Sequence, residues 1–454
     1  MEPRGQEGGS VSDTARQLNL PGVPKAKQGR EVPQRWAWTE ASVWSERMVA
    51  TLERGIKGGK WYSLMDKVWK LENLQSAMEQ VVRNQGGAGV DGEKCGEYLK
   101  RSPERLPQLQ EMLKRGQYRP QPVKRVWIPK LGSQELRPLG VPAVEDRVVQ
   151  TALRNVIEPV FENLFAEHSY GFRPGRGAKD ALRRVAQLLK AGNHWVVDAD
   201  LKGYFDSIPQ GKLLEAVAEG IADGAVLELI GAFLKQGVME SGKGWKATEA
   251  GTPQGAVVSP LLANLYLNPL DHLMARRGRE MVRYADDFVI LCRSQEEAQE
   301  VLEQLKEWVE SAGLVLHPVK TRIVDAEAPG GFDFLGYHFE RGHRWPREKS
   351  LGKFRDALRQ KTARLRPGPM EDIIQDLNRT LRGWFEYFKH SVKNVLEKED
   401  KWTRGRLRAI LRRRHKLHGR GRGRDHQRWP NDYFAELGLF SLATARDQAS
   451  RPQR

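Results

Sequence analysis

The chain of 454 residues has few of the features that mark secreted, membrane-spanning or disulfide-rich proteins. Its two cysteines, Cys95 and Cys292, lie far apart in sequence, which predicts free buried thiols rather than a disulfide. No uninterrupted apolar run approaches the roughly 18 residues of a transmembrane helix. The N-terminus lacks the basic-then-apolar layout of a secretory signal. These absences predict a protein without membrane contact and, by default, a cytoplasmic location.

Patterns typical of zinc sites and hydrolases are also missing. No His-x-x-x-His pair and no Cys/His cluster has zinc-ligand spacing. No Ser-His-Asp set is indicated either. The histidines therefore support no hydrolytic mechanism.

Acidic residues are outnumbered, and this imbalance predicts a polyanionic partner. The formal net charge is +17 and the sequence pI is about 9.8. Between Arg404 and Arg424 there are ten lysines or arginines and no acidic residue. Such a run is commonly a solvated face, but its density favours phosphate binding with RNA as partner. Its predicted nucleic-acid contacts are Arg412, Arg413 and Arg414.

Two acidic clusters follow strand-like segments. Tyr284-Ala285-Asp286-Asp287 separates Val282-Arg283 from the apolar run 288–291, which indicates a tight turn carrying two carboxylates. Upstream, the segment 195–206 reads as a buried strand that delivers a third acidic cluster, including Asp200, at its end. Asp198 shares a strand face with Asp200, so its spacing does not exclude it as a ligand. Two acidic strand ends can converge on one pair of divalent cations.

Paired carboxylates at strand ends suit nucleotidyl transfer, in which a 3′-hydroxyl attacks an α-phosphate and pyrophosphate leaves. Two Mg²⁺ ions roughly 3.5–4 Å apart stabilise both the attacking and the leaving oxygen. Mg²⁺ needs only a few carboxylates because phosphates and waters complete its coordination. We predict Asp200, Asp286 and Asp287 as catalytic residues, and Asp200, Leu201, Asp286 and Asp287 as the metal site, with Mn²⁺ as a possible substitute for Mg²⁺.

From about Leu74 to about Arg446 the sequence resembles the group II intron-encoded reverse transcriptases/maturases of bacterial type. Three palm motifs of that family occur in family order: Asp-Leu-Lys-Gly-Tyr-Phe-Asp at 200–206, Gly-Thr-Pro-Gln-Gly at 251–255 and Tyr-Ala-Asp-Asp at 284–287. Without paired Cys-x-x-Cys elements, the chain resembles the members that lack the endonuclease domain. The resemblance implies an α+β, right-hand polymerase with fingers, an α/β palm and an α-helical thumb or maturase region.

The same resemblance implies an RNA-directed DNA polymerase that binds its intron RNA and assists splicing and mobility. Its partners would be an RNA template, a DNA primer or target and deoxynucleoside triphosphates. Two alternatives remain open: a related reverse transcriptase recruited for host DNA repair or defence, and an RNA-binding splicing factor without catalysis. The intact acidic residues argue against the second.

Composition and resemblance together divide the chain into six predicted regions. These are a disordered tail over 1–34, a basic aromatic extension over 35–73, fingers over 74–190, palm over 191–349, helical thumb over 350–403 and a basic nucleic-acid-binding region over 404–454. In the extension, tryptophans mixed with lysines fit either RNA binding or packing against the fingers. In the thumb, an apolar stripe from Ile373 to Phe388 predicts a core-facing helix, with Arg379, Arg382 and Lys389 facing nucleic acid.

Five nucleotide-binding residues follow from the family motifs. Lys130 and Arg137 lie on two arms of a predicted fingers hairpin, where cations neutralise triphosphate charge. Gln254 offers an amide for the nucleotide sugar, and Phe205 either excludes a 2′-hydroxyl or packs the palm. Lys320 stands near the pyrophosphate as general acid or as counter-charge. In a further family block, Arg173 contacts nucleic acid or supports the fingers–palm junction.

Overall fold

The computed structural model of the protein describes residues 32–129, 136–240, 242–418 and 423–449. The tail predicted for the first residues lies, up to residue 31, outside these ranges, as does Lys130. The strands are β1 (Val123–Pro129), β2 (Leu136–Val141), β3 (Trp195–Asp200), β4 (Val238–Glu240), β5 (Gly244–Lys246), β6 (Glu280–Tyr284), β7 (Asp287–Cys292), β8 (Arg322–Asp325), β9 (Phe332–Phe334), β10 (Tyr337–Glu340) and β11 (His343–Pro346).

Helices make up most of the remaining structure. After a short 3-10 turn at Gln34–Trp36 they are α1 (Glu46–Arg54), α2 (Met65–Val68), α3 (Leu71–Arg83), α4 (Cys95–Lys114), α5 (Val144–Glu162), α6 (Ala178–Lys190), α7 (Tyr204–Ser207), α8 (Gln210–Gly220), α9 (Gly224–Lys235), α10 (Ser259–Arg276), α11 (Gln295–Ser311), α12 (Glu348–Lys361), α13 (Met370–Phe388), α14 (Lys393–Arg414), α15 (Arg424–Arg428), α16 (Asn431–Glu436) and α17 (Leu442–Ala449). The architecture is therefore α+β, as predicted.

The palm is an antiparallel sheet in the order β6-β7-β3-β8. Side chains of alternating residues cover its two faces. Val197 and Ile290 pack with helices α10 and α11, whereas Val196 and Val289 pack with α6 and the small sheet β11-β10-β9. Because both faces are covered, most residues of β3 and β7 are apolar. Their acidic residues, Asp198, Asp200 and Asp287, lie toward one end of the sheet.

The fingers contain a second sheet in the order β2-β1-β4-β5, with β1 and β4 parallel. The predicted hairpin is confirmed, since β1 and β2 pair antiparallel from Lys124 opposite Val141 to Pro129 opposite Leu136. Strands β4 and β5 come from the range 191–349, which was predicted as palm. The predicted boundary between residues 190 and 191 therefore does not separate the two sheets. A hydrogen bond from the Val123 N–H to the Gly237 carbonyl joins β1 to the residue before β4.

Tryptophans of the N-terminal extension are mainly core residues. Trp36 and Trp44 are fully buried, and the Trp44 indole donates a hydrogen bond to the Asn155 carbonyl at 2.9 Å. Trp38, Trp61 and Trp69 pack partly buried against the same core. For these residues the packing alternative is the one that the structure supports.

The thumb consists of helices α12, α13, α14 and the C-terminal α17 around a separate apolar core. The predicted stripe is confirmed: Ile373, Leu377 and Leu381 are buried on α13. The predicted boundary at residue 404 is wrong in one respect, because it cuts α14. Leu407 and Ile410 are fully buried, so the first half of the basic run is a packed thumb helix. Among the described residues, no helix is long and apolar enough to cross a membrane.

Candidate active site

The Tyr-Ala-Asp-Asp sequence forms the connection between β6 and β7. Tyr284 pairs with Asp287, which leaves Ala285 and Asp286 as a two-residue hairpin turn. Ala285 has φ of +60°, the sign that a type II′ hairpin requires at its first central residue. Glycine usually occupies that position, so a buried alanine there indicates a strained turn. The turn places Asp286 at the tip and Asp287 at the first position of β7.

The third predicted carboxylate is a direct neighbour of the turn. Asp200, the last residue of β3, lies opposite Asp287 in the antiparallel pairing. Residues opposite each other in such a pair have Cβ atoms about 4.5–5.5 Å apart on one face of the sheet. Asp198, two positions earlier, shares that face. The structure therefore brings together the three acids predicted to be catalytic.

Desolvation, with a smaller contribution from neighbouring carboxylates, raises the pKa values of Asp198, Asp286 and Asp287. Although part of Asp287 is exposed, desolvation by surrounding protein atoms, followed by repulsion from Asp198 and Asp286, raises its pKa to about 7. Desolvation and the charge of Asp200 also raise the pKa of Asp286. Desolvation raises the pKa of Asp198 to about 6, against the opposing effect of Arg322. Such a cluster is stabilised by added positive charge.

Two cations of the chain already face this cluster. Lys320 Nζ lies 2.7 Å from Asp200 Oδ2, and Arg322 Nε lies 3.4 Å from Asp198 Oδ2. The loop bearing Lys320 is fixed to the strand end, since His317 donates its backbone N–H to the Asp200 carbonyl at 2.7 Å. Just before this loop, Leu316 forms an isolated antiparallel bridge with Leu201.

The donor set fits a hard divalent cation. Asp200, Asp286 and Asp287 offer carboxylate oxygens, and the buried apolar side chain of Leu201 leaves its backbone carbonyl as the possible ligand. Across the part of the chain that the structure describes, no group of three or more His, Cys, Asp or Glu side chains forms a ready metal cage. A hard divalent cation can be held by one or two carboxylates when substrate phosphates and waters complete its coordination.

A buried ion pair lies beneath the turn. Arg283 is fully buried, and its Nη2 lies 2.5 Å from Asp271 Oδ2. Its Nη1 donates to the Ala285 carbonyl and to Asn264 Oδ1, both at 2.9 Å. Sequence reasoning missed these three residues because an arginine beside a tyrosine motif carries no signal of burial. Asp271 and Asn264 fix the Arg283 side chain, and Arg283 in turn fixes the carbonyl of Ala285 in the strained turn.

The fingers and the palm meet at the loop that contains Gly251 and Gln254. The Gln254 carbonyl accepts a hydrogen bond from the Gly140 N–H at 2.6 Å, and the Phe205 carbonyl accepts one from Thr252 at 2.7 Å. A Cβ on Gly251, whose φ is +82°, would collide with the Phe205 carbonyl. Gln254 lines a cleft of about 430 Å³ together with Arg125, Gly140 and Asp206, the residue that follows Phe205. Arg137 is exposed on β2.

Comparison with known proteins assigns this site to a family. Residues 128–339 match the model described as reverse transcriptase (RNA-dependent DNA polymerase). Residues 351–429 match the group II intron maturase-specific domain. Protein YkfC of Escherichia coli K12 is 34% identical over 292 residues, which cover 56% of this chain and 76% of YkfC. The chain belongs to the group II intron-encoded reverse transcriptases/maturases.

Further similarities are partial. The group II intron-encoded protein LtrA of Lactococcus lactis subsp. cremoris is 41% identical over 170 residues, which cover 37% of this chain and 28% of LtrA. A telomerase structure from Candida albicans is 14% identical with a TM-score of 0.41, covering 72% of this chain and 67% of that one. That likeness carries no functional weight. Membership makes the chain an RNA-directed DNA polymerase with a maturase domain, dependent on divalent metal and an RNA template.

One predicted nucleic-acid contact of this reverse transcriptase is corrected by the structure. The Arg173 side chain is 2% exposed, and its Nη2 lies 2.7 Å from Glu162 Oε1. Its Nη1 donates to the carbonyls of Ala166 and Ser169 at 2.6 and 2.7 Å. With its guanidinium so occupied, Arg173 is unavailable to nucleic acid. Its contacts fit the alternative, in which it supports the junction beside the palm.

The predicted thumb contacts differ in availability. Arg379, Arg382, Arg413 and Arg414 are exposed, and the Arg382 guanidinium also stacks on Phe440 at 4.6 Å. Lys389 lies 3.3 Å from Glu386, in a partly exposed pair. Two members of the arginine triplet have internal partners: Arg412 pairs with Asp425 at 2.5 Å, and Arg414 donates to the Gly368 carbonyl at 2.7 Å.

Proposed function

We propose that the protein copies RNA into DNA at Asp200, Asp286 and Asp287 with Mg²⁺, and that it binds the intron RNA that encodes it and assists its splicing and mobility. The observation that carries the proposal is the pairing of Asp200 with Asp287, with Asp286 at the adjoining turn. Two bound divalent cations supply charge stabilisation to the attacking and leaving oxygens. Mn²⁺ is the expected substitute.

In this proposal the chain's own residues position the incoming nucleotide. Arg137, and Lys130 outside the described residues, pair with its phosphates. Gln254 hydrogen-bonds its sugar, and the Phe205 ring excludes a 2′-hydroxyl. Lys320, held at Asp200 by a 2.7 Å contact, provides positive charge where pyrophosphate leaves. An in-line displacement with growing charge on the leaving group requires this arrangement of cations.

Nucleic acid, in our proposal, lies between the palm and the thumb. Arg379 and Arg382 of α13, Lys389 directly after α13, and the exposed Arg413 of α14 face it. The partners are the RNA template and a DNA primer or target. The formal net charge of +17 supports a polyanionic partner. We also infer a cytoplasmic location in a bacterial cell.

Primer extension tests the polymerase. The wild-type protein should extend a DNA primer on an RNA template with Mg²⁺, lose the activity in EDTA and regain it with added Mg²⁺ or, less fully, Mn²⁺. An inactive wild-type protein that nevertheless binds RNA would favour a splicing factor without catalysis. Splicing of the flanking intron RNA at low Mg²⁺, with and without the protein, tests the maturase role. No stimulation of splicing by an active polymerase would favour host recruitment.

A further inference from the structure

An exposed aromatic residue outside the predicted site lies against the catalytic turn. Phe172 is 52% exposed, with its ring centroid 6.4 Å from that of Tyr284. Its backbone φ is +55°, a conformation that bulky residues adopt rarely and at a cost. A strained and solvent-facing phenylalanine contributes little to folding. Its surroundings indicate another use.

The segment around Phe172 is built to hold that ring in place. Tyr170 donates its N–H to the Arg283 carbonyl at 2.8 Å, so the segment runs along the free edge of β6. A Cβ on Gly171 would collide with the backbone nitrogen of Ala285, so only glycine permits this close approach. Asn264 donates to the Gly171 carbonyl at 2.7 Å. On the other side of Phe172, Arg173 is anchored to Glu162.

The order of elements across the palm sheet shows on which side of the carboxylates the Phe172 ring lies. Across the sheet lie the Phe172 segment, β6 with Tyr284, β7 with Asp287, β3 with Asp200 and then the loop of Lys320. The carboxylates thus lie between a cation and an aromatic pair. In-line transfer places the leaving pyrophosphate and the attacking hydroxyl on opposite sides of the reacting phosphorus. With Lys320 on the leaving-group side, the aromatic pair is on the side of the primer.

We propose that Phe172, together with Tyr284, contacts the terminal base pair of the primer–template duplex and positions the primer 3′ end toward Asp286. This inference rests on the proposed polymerase function. An aromatic ring suits the task because sugars and base edges offer apolar surface of any sequence, and such contacts tolerate every base.

Binding without catalysis tests the contact. The probe is a DNA primer annealed to an RNA template, with a recessed and unextendable 3′ end, compared with the same duplex closed by a hairpin loop so that it has no primer end. Wild-type protein should prefer the recessed end. Phe172→Gly should lose roughly five- to tenfold in affinity for that end, the scale of one aromatic contact. Its affinity for the closed duplex should stay within about twofold.

Glycine is the informative replacement because it accepts positive φ without cost. Phe172→Gly should therefore keep or raise the melting temperature, which separates loss of the ring from misfolding. Ser63→Gly is the matched control, since exposed Ser63 also has a positive φ, +53°, but carries no ring. It should leave both affinities unchanged. Phe172→Tyr should restore the preference for the recessed end.

Kinetics give a second readout. In primer extension, Phe172→Gly should raise the KM for primer–template while the KM for the nucleotide stays within about twofold. Equal end preference of wild type and Phe172→Gly overturns the contact, as does a wild-type protein without any end preference. A wild-type protein that prefers the recessed end but never extends it overturns the proposed polymerase function and leaves the contact standing.

Discussion

The Nζ atom of Lys320 lies 2.7 Å from Oδ2 of Asp200, so a carboxylate proposed to hold a divalent cation also pairs with a cation of the chain. The two side chains are 61% and 40% exposed, and exposed pairs of this kind contribute little to stability. Lys320→Ala should therefore leave the melting temperature unchanged but reduce kcat by roughly 10- to 100-fold through loss of transition-state charge stabilisation. Melting curves and single-nucleotide incorporation check both expectations.

Lys320→Arg distinguishes the two roles predicted for this lysine. Arginine keeps the charge but stays protonated at any working pH, so it is a poor general acid. We expect Lys320→Arg to retain most of the activity, in agreement with a counter-charge. If Arg is as inactive as Ala, and the alkaline limb of the pH–rate profile disappears in both, proton transfer by Lys320 is the better account.

Replacement of a catalytic carboxylate should abolish DNA synthesis without loss of RNA binding. Asp286→Ala and Asp200→Ala remove proposed metal ligands, whereas phosphate contacts are spread over the basic thumb. We expect no detectable primer extension and RNA affinity within about twofold of wild type by filter binding. RNA binding that falls in parallel with activity would contradict the site assignment.

The crowded carboxylates also predict a gain in stability. Desolvation and its neighbours raise the pKa of Asp287 to about 7, above that of an exposed aspartate. The folded state then holds this proton more tightly than the unfolded chain, so the group favours folding at low pH, and that contribution is lost as pH rises from about 4 through 7. At pH 8 in EDTA, Asp287→Asn should melt at a higher temperature than wild type. An equal or lower melting temperature would contradict the proposed crowding.

The basic run in the C-terminal region should separate into binding and structural arginines. Arg413 is exposed, whereas the Arg412 side chain is 14% exposed and pairs with Asp425. Arg413→Gln should flatten the plot of log affinity for RNA against log salt by up to about 0.7–0.9, with unchanged stability. Arg412→Gln should lower the melting temperature because it leaves the buried Asp425 unpaired. The opposite pattern would show that the assigned roles are exchanged.

Loss of the ion pair beneath the turn should lower both stability and activity, and a second substitution should recover only the stability. Arg283→Met leaves the buried carboxylate of Asp271 without its partner, at a cost of about 3–5 kcal/mol. Adding Asp271→Leu should recover much of the unfolding free energy, since no buried charge then remains. Activity should not recover, because the Arg283 bond to the Ala285 carbonyl is still missing. Recovery of both would limit the pair to a packing role.

Sequence patterns were sufficient for the elements that carry the carboxylates. The strand-like segments before and after Tyr284-Ala285-Asp286-Asp287 predicted the tight turn, and the stripe on α13 predicted a thumb core, because these patterns depend on local alternation and helical period. Contacts between distant segments were not readable. The burial of Arg173 against Glu162 and the parallel pairing of β1 with β4 depend on tertiary packing that no local pattern encodes.

The basic residues show the same limit of local sequence patterns. Charge density alone predicted phosphate binding for the run after Arg404, yet Arg408 is buried and donates to the Trp429 carbonyl at 2.9 Å. An arginine's long apolar stem lets it enter a core when acceptors are present. Composition therefore predicts a polyanionic partner for the chain as a whole, but only the fold separates the arginines at the surface from those in the interior.

The choice between deoxynucleotides and ribonucleotides should depend on Phe205. Its ring is half-buried and lies 5.7 Å from that of Tyr204, while its carbonyl anchors the loop of Gln254. If the ring blocks a 2′-hydroxyl, Phe205→Val should relax discrimination against ribonucleotides by about 1.4 kcal/mol or more, on the order of tenfold, without erasing deoxynucleotide use. Single-nucleotide incorporation of matched ribo- and deoxynucleotides measures the ratio. Phe205→Tyr keeps the ring and should keep the selectivity, and an active Phe205→Val enzyme with wild-type selectivity would exclude the gate.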